Sequence, residues 1–459
     1  MSLASLNYDV IETILTYSGS QDALRLATTC RSLYAPAVQR LLSHISVDSG
    51  WSNDRLLQYC NYMLADAKSR PRCLRSLSIT SIPRGDLSAF NSLADVLRSA
   101  LALRKITLTW DVAFAMEDCP SFEDALASVE SLDVIDIRGM DLPLVRLLSR
   151  MKCRPRTLRC DLIPVWRFSL VGKPGPCEGG QPSFLSNFAD SVTTLELGHL
   201  SNPIEELMPD TVWPSVRELS VTSGTFTNVR TVSCAFPNLR DLRIRNVQLA
   251  DPTIPAEWPE LRFLSTTDPI PLQCRVRHVQ LNVDCERASA SYIQRSLEML
   301  RRASPTVLSC YASVALFEYM AEHLRDLKVL HVDAGNVPLD LPMHSILVSL
   351  ATALRAIPLL ALTLDIPLSN YATCSDEATY AEMFAAAIPS LELVGIDHYE
   401  PSERPHSAMM DPAEWDVSER SWYRVPPRSA DGTPVLRGLS RWTGTKIREG
   451  LVASYGCRD

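Results

Sequence analysis

FPNLRDLRI, residues 236–244, is written again with small changes as WPSVRELSV at 213–221 and WPELRFLST at 258–266. Each copy sets a proline behind an aromatic residue, then Leu or Val, two spacers, Leu, one spacer and a last residue that is apolar in two of the three. Proline lacks an amide hydrogen, fits no helix interior and drives the residue before it, here Trp213, Phe236 or Trp258, towards extended geometry. Each copy therefore ends one element and launches a strand. The first apolar residues, Val216, Leu239 and Leu261, lie 23 and 22 residues apart, and a fixed spacing of this size marks a stacked repeat.

With that first residue counted as position 0, apolar residues at positions 0, 3 and 5 can be followed along most of the chain. The starts are Leu74, Leu103, Leu132, Val192, Val216, Leu239, Leu261, Val276, Val307, Leu327, Leu359 and Leu391. Position 4 is never aliphatic and position 6 is always polar or glycine. This alternation is the period of a strand with one buried and one wet face. Helical patterns fall between several strands: Leu93 to Leu101, Ala288 to Ala303, Ala315 to Leu327, His344 to Ile357 and Glu377 to Ile388.

Strand, turn, helix, turn, strand at intervals of about 20–30 residues is similar to the leucine-rich repeat. The resemblance implies an α/β fold, an irregular leucine-rich-repeat solenoid over residues 47–399 with its parallel strands on the concave face. The family's Asn or Cys, three residues beyond the last strand leucine, is replaced by Ile82, Asp111, Met140, Leu200, Gly224 and Val247. In such a solenoid, positions 4 and 6 face a substrate. The candidate substrate-binding residues are Arg138, Arg243 and Arg245 in the middle and His331, Asp333, Asp365 and Asp397 late in the array. That gradient would suit a partner with an acidic patch beside a basic one.

Residues 6–45 read differently, as three short helices. Asn7 is placed to cap the first, with Leu6 and Ile11 as a hydrophobic staple. Val10, Ile11, Ile14 and Leu15 form an apolar stripe at helical spacing. Ser20 is placed to cap the second helix, whose inner face holds Leu24, Leu26, Ala27 and Cys30; Pro36 stands early in the third, which carries Val38, Leu41 and Leu42. The segment 1–46 resembles the F-box through Leu6, Asp9, Val10, Ile11, Ile14, Leu15, Leu24, Arg25, Leu26, Ala27, Cys30 and Arg31. It departs from that family at Asn7, where proline is usual, at Ser18 and Ala23, where leucine is, and at Thr29, often valine.

An F-box before degenerate leucine-rich repeats is similar to the large fungal families of F-box proteins. The resemblance implies the substrate-recognition subunit of an SCF-type E3 ubiquitin ligase, a non-catalytic adaptor. The F-box docks on a Skp-family adaptor, and through it on a cullin and a RING protein, while the repeats hold a protein substrate. By that resemblance Leu6, Asn7, Ile11, Leu15, Leu24 and Cys30 stand where adaptor contacts or their immediate support would lie. The alternative is an interaction scaffold whose N-terminal helices are only a structural cap, since an end repeat must cover its apolar face.

Residues 400–459 read as an acidic loop to about 421, a hairpin of SWYRV and PVLRGLS around Asp431-Gly432, and a terminal helix, Thr443 to Ser454. Trp422, Tyr423 and Trp442 are expected to seal the last repeat. VGKPGPCEGGQPS, residues 171–183, is a loop insertion and not a phosphate loop, because Lys173 is followed by proline. The 45 basic residues against 53 acidic give a net charge of -8, which disfavours a nucleic-acid backbone as partner. None of the 13 cysteines lies within four residues of another, so buried reduced thiols, Cys310 on a strand's inner face among them, are expected over disulfides or a metal site. No secretory signal, membrane-length apolar run, catalytic elbow or cofactor motif stands in the chain. The expectation is a cytoplasmic or nuclear protein that uses no cofactor and carries out no chemistry itself.

Overall fold

Alternation with period two fixes the direction of each side chain but not the order of the strands; register supplies that. The computed structural model describes residues 7–29, 31–82, 88–164, 184–199, 211–282, 290–335, 343–367, 377–399, 420–427 and 435–456. They fall into two compact units, Met1–Val216 and Arg217–Asp459.

The first unit opens with helices α1 (Tyr8–Tyr17), α2 (Ser20–Thr29) and α3 (Arg31–Ser43). Strand β1 (His44–Val47) follows with no linker. Five more strands come in chain order: β2 (Ser76–Ile79), β3 (Lys105–Thr109), β4 (Val134–Met140), β5 (Thr157–Pro164) and β6 (Thr194–Gly198). All pair in parallel with their neighbours in sequence. The position-3 residues Leu77, Ile106, Ile135, Leu158 and Leu195 stand side by side, with Ile45 of β1 continuing the row. The connections carry α4 (Asn53–Leu64), α5 (Ser88–Ser99), α6 (Val112–Asp118), α7 (Pro120–Ala127) and α8 (Leu142–Arg150).

The second unit repeats the plan with β7 (Glu218–Phe226), α9 (Val229–Ala235), β8 (Asp241–Leu249), β9 (Leu261–Thr266), β10 (Val276–Leu281) and α10 (Ala290–Ala303). It goes on through β11 (Val307–Tyr311), α11 (Val314–His323), β12 (Val329–Asp333), α12 (Met343–Leu354), β13 (Ala361–Pro367), α13 (Glu377–Ala387) and β14 (Leu393–Tyr399). Leu219, Leu242, Leu264, Val279, Leu308, Leu330, Leu362 and Val394 make one row across these eight parallel strands. The chain then reverses: β15 (Ser421–Arg424) adds antiparallel to β14, β16 (Arg437–Leu439) adds antiparallel to β15, and helix α14 (Arg441–Gly456) ends the described chain.

In both units the residues at positions 3 and 5, the odd face of each strand, are buried under the connecting helices. Positions 2, 4 and 6 make the even face. The aromatics of the opening phrase, Trp213, Phe236 and Trp258, are buried too. Trp258 donates its indole N–H to the Phe236 carbonyl at 2.9 Å, so successive phrases are bonded to each other. Strand entrances are tied in the same way by the main chain. The carbonyl at position 1 accepts from the next copy's amides at positions 1 and 2, as Arg75 does from Arg104 and Lys105 and Lys328 from Leu360 and Ala361. A left-handed residue recurs at position 7, at Gly139, His199, Ser223 and Asn246; it lies within β4, β7 and β8 and just after β6.

Several expectations change in detail. The copy begun at Val307 is two residues late, since Leu308 and not Cys310 pairs with Leu330 and Val279. A slip of two keeps every side chain on its face, so Cys310 is still buried on the odd face, at position 5. TLRCDLI supplies β5, and β1 is a strand with no counterpart in the sequence template. The second helix is entered at Gly19, whose carbonyl accepts from Ala23, with Ser20 already helical. The third begins five residues before Pro36. Asn7 does stand at the cap of α1, but its side chain makes no capping bond. The terminal helix and the hairpin strands are present; the insertion 171–183, most of the acidic loop and the Asp431-Gly432 turn lie outside the described residues.

Candidate protein-binding surfaces

The N-terminal helices have a small core of their own: Ile11 and Leu15 from α1, Ala23 from α2, Leu33 and Ala37 from α3, with Leu26, Ala27 and Leu41 packed against it. Arg40 of α3 closes it by donating Nε–H to the Leu15 carbonyl at 2.9 Å, a cation on the negative end of α1. The stripe read from the sequence is therefore split. Ile11 and Leu15 point inward, whereas Val10 and Ile14 are exposed, as are Tyr17 and Tyr34. Leu24, expected on the inner face of α2, is 57% exposed, and Ala23 occupies the core beside it. Asn7 is exposed. Of the six candidate adaptor residues, Leu6 and Cys30 lie outside the described residues.

On the even face of the first unit, Asp136 accepts from Arg138 at 3.1 Å, and Arg159 pairs with Glu196 at 3.0 Å. Arg138 keeps 62% of its side chain exposed. Asp161 is half-buried, and burial holds its carboxyl above the usual carboxylate range, with His199 pulling the other way. This surface is built of charge pairs reachable by solvent. Arg138 is the one candidate substrate residue it contains; Asp136, Arg159, Asp161 and Glu196 were passed over in the sequence although the template for β4 and β6 places Asp136 and Glu196 at position 4.

The second unit treats its even face differently. Arg243 and Arg245 are half-buried on β8, with the Arg243 guanidinium 5.2 Å from the Phe263 ring centre. The structure brings together the other four candidates, His331, Asp333, Asp365 and Asp397, and buries all of them. The three aspartates stand in register on β12, β13 and β14. Between them enters Arg420, just before β15, donating to Asp365 at 2.5 Å and lying 3.7 Å from Asp397. His331 lies 3.5 Å from Asp365 and bonds Thr363 at 2.8 Å, and the Tyr399 hydroxyl donates to Asp333 at 3.1 Å. The expected acidic patch is thus an internal, charge-paired cluster.

Position 2 explains what covers it. In the second unit this position reads Phe263, His278, Val307, Val329, Ala361 and Leu393 from β9 to β14. Val307, Val329, Ala361 and Leu393 are buried beneath Trp422 of β15, Leu439 of β16 and Ile447, Leu451, Val452 and Tyr455 of α14. The helix crosses the strands. Gly444 near its start packs on Trp422, Gly456 at its end reaches Val307 and His278, and the Tyr455 carbonyl accepts from Thr306 at 2.8 Å. Sixteen residues make a helix of about 24 Å, enough to cross four strand spacings of about 4.8 Å each. Trp422 fits because its neighbours are glycine: a Cβ on Gly395 would stand 2.7 Å from its ring, and one on Gly444 would overlap it. Trp442, expected to share in the seal, is 72% exposed.

Two basic groups feel this burial. The Arg448 guanidinium of α14 is lowered to about 10, first by burial and then by Arg420. His278 is lowered to about 4 by burial, then by Arg448 and Arg243, so it is neutral at pH 7. Buried thiols move up: Cys60 to about 12 and Cys153 and Cys274 to about 11, all mainly through burial, which leaves them poor nucleophiles. His398 is held by Glu377 at 2.8 Å. Among the described residues no group of His, Cys, Asp and Glu is arranged to hold a metal ion, and no helix is long and apolar enough to cross a membrane.

No family model matches the chain, and no curated protein is similar to it in sequence. The residues themselves carry the functional reading.

Proposed function

We propose that the chain is the substrate-recognition subunit of an SCF-type E3 ubiquitin ligase. In this reading the N-terminal helices are an F-box that docks on a Skp-family adaptor, and through it on a cullin and RING protein. The remaining array is an irregular leucine-rich-repeat solenoid that holds a protein substrate on its even face. The chain transfers no ubiquitin itself; its partner subunits do, in the cytoplasm or nucleus.

The observation that supports this reading is how α1–α3 divide their apolar residues. They spend the small ones and Ile11, Leu15 and Leu33 on a private core and leave Leu24, Tyr17, Tyr34, Val10 and Ile14 to solvent. A cap would turn its large side chains onto the array it covers. Exposed apolar side chains grouped on a small helical module favour a partner instead. Ile11 and Leu15 then support the docking surface from below while Leu24 belongs to it.

One observation favours the scaffold reading, in which these helices only cap the array: α3 runs into β1 without a break, and β1 already pairs with β2. Binding of the purified chain to a Skp-family adaptor separates the two. Leu24→Asp should abolish binding while circular dichroism stays unchanged, since Leu24 contributes little to the core. If the intact chain fails to bind the adaptor, the ligase role is wrong and the scaffold stands.

A further inference from the structure

The even face of β10–β14 has two chemical demands. Asp333, Asp365 and Asp397 lie on adjacent strands in register, roughly 4.8 Å apart by strand spacing, and three such carboxylates need a cation between them. Beside them, the row Val307, Val329, Ala361 and Leu393 needs an apolar cover. Residues 420–456 answer both with Arg420 for the aspartates, then Trp422 and the apolar side of α14 for the row.

This cover differs in kind from the rest of the fold. Every other described helix of the second unit lies within a crossover between two parallel strands, so it cannot leave without pulling strands apart. Residues 420–456 lie in no such crossover: they follow the parallel array, and their strands are added antiparallel on the outer edge of β14. Its seat also carries costs. The buried Arg420 lies close enough to the half-buried Arg448 guanidinium to disfavour the charge of Arg448. Their Nε atoms and the Trp422 indole nitrogen have no hydrogen-bond partner among the described residues, and burying a donor unpaired opposes docking.

We propose that residues 420–456 are a displaceable intramolecular ligand. The even face of β10–β14 is then a binding site for a partner-protein segment of the same chemistry, an arginine followed by an amphipathic helix, which takes the place of Arg420 and α14. The partner role rests on the reading that the array holds a protein substrate; the displacement itself does not depend on adaptor binding.

Amide hydrogen exchange of the full chain at pH 7 tests the displacement first. The amides of α14 and β15 should exchange at least tenfold faster than those of β11–β13, through an opening that leaves those strands protected. Exchange of α14 and β11–β13 at one common rate would make the segment part of a single cooperative core and overturn the proposal. The second arm uses Arg420→Glu, which sets a fourth carboxylate among the three, with a labelled synthetic peptide of residues 420–456 as probe. With the strands still protected, the variant should bind the peptide at least tenfold more tightly than the wild-type chain, whose site is filled. Protected strands without peptide binding would overturn the proposal equally. Should the variant unfold, the wild-type exchange pattern decides alone. Loss of adaptor binding would refute the ligase reading and leave both results standing.

Discussion

The even faces of β2–β6 and of β10–β14 are cut from the same template and meet opposite fates. The first carries Thr107, Asp136, Arg138, Arg159 and Glu196, paired with one another within β4 and across strands and partly open to water. The second carries aspartates and aliphatic side chains that neither pair among themselves nor tolerate water, and a terminal segment covers them. What separates them is position 2: Ser76, Lys105, Thr157 and Thr194 on four of those strands against Val307, Val329, Ala361 and Leu393. A strand face becomes an interior when its polar residues are interleaved with apolar ones, because a helix then has something to rest on.

The largest contrast should come from removing one cation on each face. Arg420→Met removes the buried guanidinium shared by Asp365 and Asp397 and is expected to cost about 3–5 kcal/mol, read as loss of α14 protection or a lower urea midpoint of the second unit. The matching change on the open face, Arg159→Met, breaks a solvent-exposed pair with Glu196 and should cost about 1 kcal/mol or less. Equal costs at the two sites would refute the contrast.

Packing gives the next effect. Gly444→Ala forces a methyl group into Trp422 and should destabilise the docked segment by about 1–3 kcal/mol, the usual penalty of overpacking. Trp422 fluorescence would shift to the red as the ring leaves its slot. In the first unit Gly139→Ala meets Trp110 at 3.1 Å with φ at 78°, a smaller clash joined to a left-handed strain of about 1–2 kcal/mol. Urea unfolding followed by circular dichroism measures both.

Acid should act on the two faces with opposite sign. His278, whose folded value of about 4 lies below the ordinary 6.5, favours the folded state fully above pH 6.5, and that contribution drains away as pH falls towards 4. Between pH 6.5 and 5 the loss is about 1–2 kcal/mol, and α14 should exchange faster at pH 5 than at pH 7 after correction for intrinsic rates. His278→Gln should remove that dependence. Asp161 is raised, so its contribution is present at low pH and is lost as pH rises through its folded value. Asp161 therefore acts on the sheet of the first unit with the sign opposite to that of His278 on α14.

Much of this plan is legible in the sequence. Local chemistry announced itself: proline behind an aromatic starts a strand, positions 3 and 5 set its buried face, and the five amphipathic runs became α5, α10, α11, α12 and α13. The slip at β11 arose because Cys310 and Ala312 imitate Leu308 and Cys310, and periodicity of two cannot tell such registers apart. The left-handed position 7 left no signature, being filled by Gly, His, Ser and Asn. The site was less readable. Asp365 and Arg420 meet across 55 residues of sequence, with nothing local to join them, so exposed acids and a buried salt bridge looked alike. The apolar row at position 2 was a visible signal that the template of 0, 3 and 5 passed over. In α1 and α2, Ile11 and Leu24 both matched a family pattern, yet only tertiary packing decides which of them faces the core.

The order of synthesis gives the terminal segment a further meaning. Strands β10–β14 are complete once Tyr399 has been made, but Arg420, Trp422 and α14 come later. At about 5–20 residues per second the apolar row over Val307, Val329, Ala361 and Leu393 waits roughly 3–12 seconds for its cover, longer while the ribosome still holds α14. For that interval the nascent chain displays a sticky, acidic-edged sheet, and any message cut short beyond codon 400 would leave it so permanently. Quality control that recognises exposed apolar sheet would find these unfinished chains by the very surface that the finished chain conceals.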